Sequence, residues 1–223
     1  EGLLSHDEIQ SRVGKMVEYG GLISERARPD GAKRPYEINI SLFDALQTEE
    51  KFLCAHTILL GLEGVPAFYI HSLLGTRNDR EGAISSGMNR RINRHQWDAD
   101  ELRIELDNEK SPHASVLKKL LERIDLRREQ AAFHPNATQF TLHMGDQVFS
   151  FWRQSVDRRS NIFCLNNVSG EEQRIPVAAI NLISTEEWLD LISGDILEDE
   201  EGELVLAPYQ CIWLANRRKH LPY

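Results

Sequence analysis

The chain has 223 residues, enough for one or two domains, and its hydrophobic fraction of 41% is sufficient for a buried core. Its formal net charge of −9 argues against nucleic acid and anionic membrane surfaces as partners. No apolar run approaches the roughly 20 residues that a membrane-spanning helix requires, and residues 1–30 lack a signal-peptide pattern.

The first segment predicts a helix with its own N-terminal cap. Ser5-His6-Asp7-Glu8 has the spacing of a capping box, in which a serine hydroxyl and a glutamate satisfy amides at a helix start. Apolar residues follow at helical spacing, and Gly20-Gly21 ends the pattern. Residues 22–40 predict a polar loop that contains the turn signal Pro29-Asp30-Gly31.

A second helix, a strand and a third helix are predicted next. The second helix runs from near Thr48 to Gly61 and is expected to bury Phe52, Leu53, His56, Leu59 and Leu60. Residues 65–70 are almost wholly apolar, which predicts a strand buried on both faces, as in a parallel sheet. A long loop covers residues 71–98, and Ser111-Pro112 begins a helix that ends near Ala132.

After residue 135 the pattern changes to short strands separated by turns. Met144-Gly145-Asp146 and Ser169-Gly170 mark two of these turns, and residues 211–214 form the last apolar run. This pattern predicts an antiparallel sandwich whose core contains Trp152, Trp188 and Trp213. Cys54, Cys164 and Cys211 lie far apart in apolar surroundings, which predicts buried free thiols in a reducing, cytoplasmic compartment.

The first half is incomplete as a domain. It offers a single strong parallel strand, and a buried strand needs neighbours on both sides to satisfy its amides and carbonyls. The residues alone therefore predict a piece of a larger domain.

Four segments resemble, in the same order, sucrose phosphorylase-like enzymes of the alpha-amylase superfamily, glycoside hydrolase family 13. Tyr36-Glu37-Ile38-Asn39-Ile40 with residues 43–46 is similar to their acceptor-side loop, and residues 64–70 are similar to the eighth barrel strand. Residues 90–95, Arg-Arg-Ile-Asn-Arg-His, resemble that family's Arg-Asp-Ile-Asn-Arg-His segment. Residues 206–209 are similar to the end of its small C-terminal domain. Arg91 departs from the family pattern, in which aspartate is commoner.

The resemblance implies four substrate-binding residues. Arg90 matches an arginine that hydrogen-bonds glucose hydroxyls at the donor subsite, a task that suits the fixed fork of guanidinium donors. Tyr36 and Glu37 match positions on a mobile acceptor-binding loop, and His95 closes the arginine-bearing segment. The alternatives are a solvated basic loop around Arg90 and a polar surface loop around Tyr36 and Glu37. Arg94 is interpreted as part of the solvated loop.

The acceptor is expected to differ from that of sucrose phosphorylases proper. Those enzymes tend to carry glutamine where Glu37 stands, and Lys33 and Arg34 precede it. Two cations beside the loop favour an anionic acceptor, such as glycerate or a sugar phosphate.

The catalytic carboxylates of the family are expected upstream of residue 1. His6-Asp7 resembles the His-Asp-Gly context of the stabilising aspartate, but Glu8 replaces the glycine and no strand precedes it. A carboxylate in the first turn of a helix is explained by the helix dipole. The sequence therefore predicts no catalytic residue in this chain, which alone is expected to be inactive.

The predicted fold class is α+β. Residues 1–132 form the C-terminal portion of a (β/α)8 TIM barrel, and residues 133–223 form a small antiparallel β-sandwich domain. The expected partners are a small-molecule sugar donor, inorganic phosphate and the missing N-terminal barrel half of the same protein, with neither nucleic acid nor membrane. The histidines lack metal-ligand spacing, so neither a metal nor a cofactor is expected.

The predicted function belongs to the parent protein. It is a glycoside phosphorylase that transfers a glucosyl unit from sucrose or a related α-glucoside to phosphate by a retaining double displacement. One alternative is a fragment of an α-glucosidase, an amylase-type hydrolase or a transglucosidase. An alternative of another class is a non-catalytic carbohydrate-binding or interaction module.

Overall fold

The computed structural model describes residues 3–27, 29, 31, 33–180, 186–197 and 202–218, which fall into two compact units. Unit 1 comprises Glu1–Phe52 and Phe68–Lys118, and unit 2 comprises Leu53–Ala67 and Lys119–Tyr223. The α-helices of the described residues are α1 His6–Glu18, α2 Leu42–Leu46, α3 Glu49–Gly61, α4 Ile70–Leu73, α5 Arg80–Ser86, α6 Ala99–Asp107 and α7 Pro112–Arg128. The strands are β1 Leu22–Ala27, β2 Lys33–Asn39, β3 Thr138–His143, β4 Val148–Gln154, β5 Asn161–Asn167, β6 Gln173–Pro176, β7 Glu186–Asp190, β8 Glu203–Leu206 and β9 Cys211–Arg218.

The first helix has the predicted capping box. The Ser5 hydroxyl accepts from the Glu8 amide at 3.3 Å, and the Glu8 carboxylate accepts from the Ser5 amide at 2.7 Å. The Ser5 amide and the Ser5 hydroxyl both donate to the Glu8 carboxylate and lower the pKa of Glu8, because they favour its charged form. Asp7 lies in the first turn, where a carboxylate complements the helix dipole.

The predicted polar loop over residues 22–40 is wrong, because β1 and β2 pair there as an antiparallel hairpin. The register joins Ser24 to Glu37 and Glu25 to Pro35, so Tyr36 is the extra residue of a β-bulge. The sequence gives little sign of these strands, since neither has a continuous apolar run or a fully buried face.

The predicted strand over residues 65–70 is also wrong. Residues 65–69 are irregular, Ile70 begins α4, and the Val65 side chain is 80% exposed. A strand buried on both faces needs hydrogen-bonded neighbours, and no strand of the described residues pairs with this segment. The loop that follows contains α4 and α5 and is thus more ordered than predicted.

The two long helices agree with their sequence signals. Helix α3 begins at Glu49 and ends at Gly61, and it buries Phe52, Leu53, His56 and Leu60. Leu59 is an exception, since its side chain is 39% exposed. Helix α7 begins at Pro112 as predicted and ends at Arg128.

Unit 2 contains a five-stranded antiparallel sheet and a two-stranded one. The large sheet has the order β3-β4-β5-β9-β7, and β6 pairs with β8. Their side chains share one apolar core, which is built from the residues Val148, Phe163, Leu165, Ile175, Ile180, Trp188, Leu206, Ile212 and Leu214. The antiparallel pairing and the mixed α+β class agree with the prediction.

The tryptophans and cysteines of unit 2 lie mainly inside it. Trp188 and Trp213 are fully buried as predicted, whereas Trp152 is half-buried and stacks on Phe140 at a ring distance of 4.6 Å. All three cysteines are free and buried. The cellular compartment and the domain boundary after residue 132 remain predictions.

Two arginines satisfy the carbonyls where α3 ends. Arg153 Nη1 donates to the Gly61 carbonyl at 2.8 Å, and Arg127 Nε donates to the Leu60 carbonyl at 2.7 Å. The last carbonyls of a helix have no partner within it and carry partial negative charge. The two guanidinium groups therefore stabilise this helix end, and burial lowers the pKa of both.

Candidate substrate-binding site

The arginine-bearing segment forms a 3-10 helix, Asn89–Asn93, in unit 1. Its one buried residue is Ile92, which is fully enclosed, while the Arg90 side chain is 54% exposed. The Ile92 carbonyl accepts from the Asp79 amide at 2.7 Å. The buried apolar side chain and this hydrogen bond fix the turn and leave the Arg90 side chain at the surface.

The structure brings three of the four predicted site residues together. Arg90 Nε lies 3.0 Å from one oxygen of the Glu37 carboxylate and 3.1 Å from the other. Tyr36 interacts with the same guanidinium. Successive strand residues normally point to opposite faces, and the bulge at Tyr36 allows neighbours on β2 to contact one partner.

The electrostatics of this group follow from the pairing. Hydrogen bonding and charge attraction from Glu37, followed by the smaller effects of Tyr36, raise the pKa of Arg90 above its ordinary value. Arg26 lies over the Tyr36 ring, 5.3 Å from its centroid, in a cation–π contact. The arrangement offers guanidinium and phenol donors at an exposed surface, which suits recognition of neighbouring hydroxyl groups.

His95, the fourth predicted residue, contacts Asp79 instead. Its Nδ1 lies 3.2 Å from Asp79 Oδ2, and its ring meets Trp97 edge-on at 4.8 Å. Asp79 also caps α5 by accepting from the Gly82 amide at 2.7 Å. Burial raises the pKa of Asp79, but the Gly82 amide and His95 outweigh it, so that the pKa lies below its ordinary value of 3.8. Asp79 thus fastens both the start of α5 and the Arg90 turn.

Replacing Asp79 with asparagine is expected to lower the free energy of unfolding by about 1 kcal/mol at pH 7, because the charged cap and the His95 pair are lost. A carboxylate with a depressed folded-state pKa stabilises above its unfolded-state pKa and loses that effect as the pH falls through its folded-state pKa. The difference between Asp79→Asn and wild type should therefore diminish as the pH falls below 3.8, the ordinary pKa of this carboxyl. Urea unfolding followed by tryptophan fluorescence measures it. Asp107→Asn, an exposed change in α6, is the matched control. An equal difference in unfolding free energy at pH 7 and at acid pH would contradict the role assigned to the Asp79 carboxylate.

A second polar network was missed from the sequence. Asp44, half a turn into α2, accepts from Arg77 Nη1 at 3.0 Å and from the Asn78 amide at 2.6 Å. Asn78 in turn accepts from the Ser41 amide at 2.7 Å. Ser41 caps α2 through the Asp44 amide, so the spacing Ser-x-x-Asp gave a local signal. No local motif indicated that the Asp44 carboxylate accepts hydrogen bonds from Arg77 and Asn78.

Two cavities of unit 1 border these networks. One has a volume of about 190 Å³ and is lined by Ser41, Phe43, Tyr69, His71 and Arg77, among others. The other, of about 420 Å³, is lined by Arg77, Asp79, His95, Trp97 and His113, among others. Within the described ranges, no group of three or more histidine, cysteine, aspartate or glutamate side chains is arranged to hold a metal ion.

Trp97, which lies between the 3-10 helix and α6, is held by one hydrogen bond and two ring contacts. Its Nε1 donates to the Thr76 hydroxyl at 3.1 Å, and its ring lies edge-on between His95 and His113.

None of the helices among the described residues combines the length and apolar character needed to cross a membrane.

Curated relatives match almost the whole chain. The glucosylglycerate phosphorylase of Spirochaeta thermophila is 33% identical over 97% of this chain and 40% of its own length. The glucosylglycerate phosphorylase of Escherichia coli is 36% identical over 96% of this chain and 38% of its own length. The sucrose phosphorylase of Agrobacterium vitis is 32% identical over 52% of this chain. No protein-family profile matches the chain.

Solved structures support the fold. The crystal structure of sucrose 6F-phosphate phosphorylase from Thermoanaerobacter thermosaccharolyticum matches 75% of this chain and 32% of its own, with a TM-score of 0.63 and 24% identity. An alpha-amylase from Geobacillus thermoleovorans, complexed with acarbose, matches 81% of this chain and 37% of its own with a TM-score of 0.61 and 16% identity. The class of fold is therefore one that phosphorylases and amylases share.

Within that class the chain belongs to the family of glucosylglycerate and sucrose phosphorylases, which confirms the resemblance seen in the sequence. It spans about 40% of the length of the first of these relatives. The comparison does not test the roles of individual site residues.

Proposed function

We propose that this chain is the C-terminal, sugar-recognising part of a glycoside phosphorylase. The whole protein transfers a glucosyl unit from an α-glucoside to inorganic phosphate by a retaining double displacement. In this proposal residues 1–132 complete a (β/α)8 barrel, residues 133–223 form its sandwich domain, and the catalytic carboxylates lie upstream. The chain alone is inactive, because recognition without a nucleophile and an acid accelerates little.

The observation that carries the proposal is the contact between Arg90 and Glu37. The resemblance assigns Arg90 to the donor subsite and Glu37 to the acceptor loop, and their side chains meet at 3.0 Å. A glycosidic bond that is to be cleaved must lie between donor and acceptor subsites, so residues of both are needed close together. A guanidinium held in this position donates hydrogen bonds to vicinal sugar hydroxyls with little further loss of side-chain entropy.

The acceptor released from the donor is proposed to be anionic, with glycerate as the first choice. Lys33 and Arg34 are exposed at the start of β2, and Arg26 lies on the neighbouring strand. These three cations outnumber the carboxylates of Glu25 and Glu37 on the same strands, which favours a carboxylate or phosphate over a neutral fructose. The relatives that match nearly the full chain are glucosylglycerate phosphorylases, which supports the same choice.

The test is phosphate-dependent release of glucose 1-phosphate by the whole protein. Glucosylglycerate, sucrose and sucrose 6-phosphate are compared with and without inorganic phosphate, and the 223-residue chain serves as the control. We expect product from the whole protein only, with the highest kcat/KM for glucosylglycerate.

The other outcomes each reject a part of the proposal. Release of free glucose without a requirement for phosphate would show that the protein is a hydrolase. Preference for sucrose would reject the anionic acceptor, and turnover by the chain alone would require catalytic carboxylates inside it.

A further inference from the structure

Three cysteines that lie far apart along the chain meet between α3 and the large sheet of unit 2. Cys54 lies on α3, Cys164 on β5 and Cys211 on β9. Asn166 pairs with Cys211, and residues two apart on a strand share a face, so Cys164 and Cys211 are diagonal neighbours. Helix α3 packs over this face, because a Cβ added at Gly61 would lie 3.4 Å from Cys164 Sγ. The fold therefore gathers three thiols in one place.

Cys54 and Cys211 are the two that touch. Cys211 Sγ lies 3.8 Å from the Cys54 carbonyl oxygen, and the two thiols hydrogen-bond to each other. Cys54 Sγ also lies 3.6 Å from the Asn167 carbonyl oxygen, beside the residue that pairs with Cys211. A disulfide forms only between cysteines whose side chains face each other, and this pair meets that requirement.

The thiols of the group differ in acidity. The hydrogen bond from Cys211 lowers the pKa of Cys54 against the effect of burial, and the charge of Arg123 acts in the same direction as the hydrogen bond. That hydrogen bond, together with burial, raises the pKa of Cys211 well above its ordinary value. Burial does the same to the pKa of Cys164. Because the thiolate is the nucleophilic form, Cys54 is the sulfur that reacts first.

We propose that Cys54 and Cys211 form a modification site, a dithiol that hydrogen peroxide oxidises to a disulfide between α3 and β9. Cys54 is 5% exposed and Cys211 is 7% exposed, so the site admits a small uncharged oxidant and excludes a bulky one such as glutathione disulfide. The bond would tie α3 to the last strand, 157 residues further along the chain.

The reaction has two steps. The Cys54 thiolate attacks one oxygen of the peroxide, the O–O bond breaks, and the departing hydroxide takes up the proton that the thiol released, which gives sulfenic acid and water. The Cys211 sulfur then attacks the sulfenic sulfur. The S–S bond forms, the S–O bond breaks, and hydroxide leaves with the Cys211 proton as a second water. The two thiols thus lose two electrons and two protons, and one peroxide is reduced to two waters.

The test is cysteine mapping by mass spectrometry in the whole protein. The folded protein is treated with hydrogen peroxide, catalase removes the excess, and the protein is unfolded in the presence of an alkylating reagent. Alkylation of Cys54 and Cys211 should fall at least about 10-fold, with a cross-linked peptide in its place, and Cys164 should stay alkylated. Dithiothreitol should restore both sites. Full alkylation of both residues, or a disulfide to Cys164, would overturn the proposal.

Variants separate the two roles within the pair. Cys211→Ala should stop at the Cys54 sulfenic acid, which dimedone traps, and Cys54→Ala should leave Cys211 reduced because the attacking thiolate is gone. Cys164→Ala is the matched control and should form the cross-link as wild type does. Oxidation of Cys211 in Cys54→Ala at the wild-type rate would overturn the order of attack. Glutathione disulfide should modify neither residue in wild type, and a mixed disulfide at Cys54 would overturn the selection of a small oxidant. The mapping of wild type needs no variant, so a variant that does not fold leaves that test intact.

Discussion

Replacing Arg153 with methionine is expected to lower the free energy of unfolding of unit 2 by about 2 to 4 kcal/mol. Arg153 is fully buried in β4 and donates to the carbonyls of Gly61, His134 and Ala137 at 2.8, 3.1 and 3.5 Å. Methionine fills much of the stem volume but donates no hydrogen bond. The Gly61 and Ala137 carbonyls, the first of them at the C-terminal end of α3, then lose this buried partner. The His134 carbonyl still accepts from the Ala137 amide at 2.9 Å.

Two effects oppose each other at this site. Burial desolvates the charged Arg153 guanidinium and lowers its pKa, and methionine removes that cost. An unsatisfied buried acceptor costs about 1 to 3 kcal/mol, so the loss at the Gly61 and Ala137 carbonyls exceeds the relief. The guanidinium also lies 5.9 Å from the centroid of Phe133, a contact that methionine retains only as packing.

The effect is measured by urea unfolding, which is monitored by tryptophan fluorescence. Trp213 is a probe close to the substitution, because its ring lies 4.8 Å from that of Phe133. Arg128→Met is the control, because Arg128 is 76% exposed and its ion pair with Asp125 is worth at most about 1 kcal/mol. Arg153→Lys should give an intermediate loss, since one ammonium does not reach all three carbonyls, and it serves if the methionine variant does not fold. Equal stability of Arg153→Met and Arg128→Met would refute the capping role.

Local signals in the sequence led to correct elements. The Ser5–Glu8 capping box, the glycine that ends α3 and the proline that begins α7 act within one helical turn, so their chemistry is visible in a few residues. The antiparallel strands of unit 2 were likewise visible as short apolar runs between turns.

Features that depend on distant partners were missed. From the sequence alone an arginine such as Arg153 is expected at the surface. Its burial depends on the partners Gly61 and His134, which lie 92 and 19 residues away along the chain. The hairpin of β1 and β2 is polar on most of its surface, and the apolar run over residues 65–70 resembled a buried strand by composition alone. Whether such a run forms a strand is decided by neighbouring strands, and a single sequence does not display them.

In the candidate site, too, the sequence indicated the residues but not the contacts between them. The resemblance indicated Arg90, Tyr36, Glu37 and His95 as a group, and the structure joins the first three. Their contact spans 53 residues and depends on a bulge that no local motif announced. His95 was grouped with them by sequence proximity, whereas its ring contacts Asp79 and Trp97.

If the whole protein is the proposed phosphorylase, replacing Arg90 with lysine is expected to lower its kcat/KM for phosphorolysis about 100-fold to 1000-fold. A lysine ammonium does not donate to Glu37 and to two sugar hydroxyls with the fixed geometry of a guanidinium. The melting temperature should change little, because the Arg90 side chain is 54% exposed. Arg94→Lys, the same substitution at an exposed position after the 3-10 helix, is the control and should change kcat/KM less than about 3-fold.

The products formed by Arg90→Lys locate the residue within the site. Phosphorolysis and slow hydrolysis proceed from the same glucosyl donor and differ only in what attacks the intermediate. A residue that recognises the glucosyl unit acts on both reactions equally, so glucose 1-phosphate and free glucose should fall by the same factor. A loss confined to glucose 1-phosphate would place Arg90 at the phosphate instead, because the donor subsite would then be intact. Since a guanidinium suits phosphate as well as vicinal hydroxyls, the ratio of the two products separates these roles where kcat/KM alone does not.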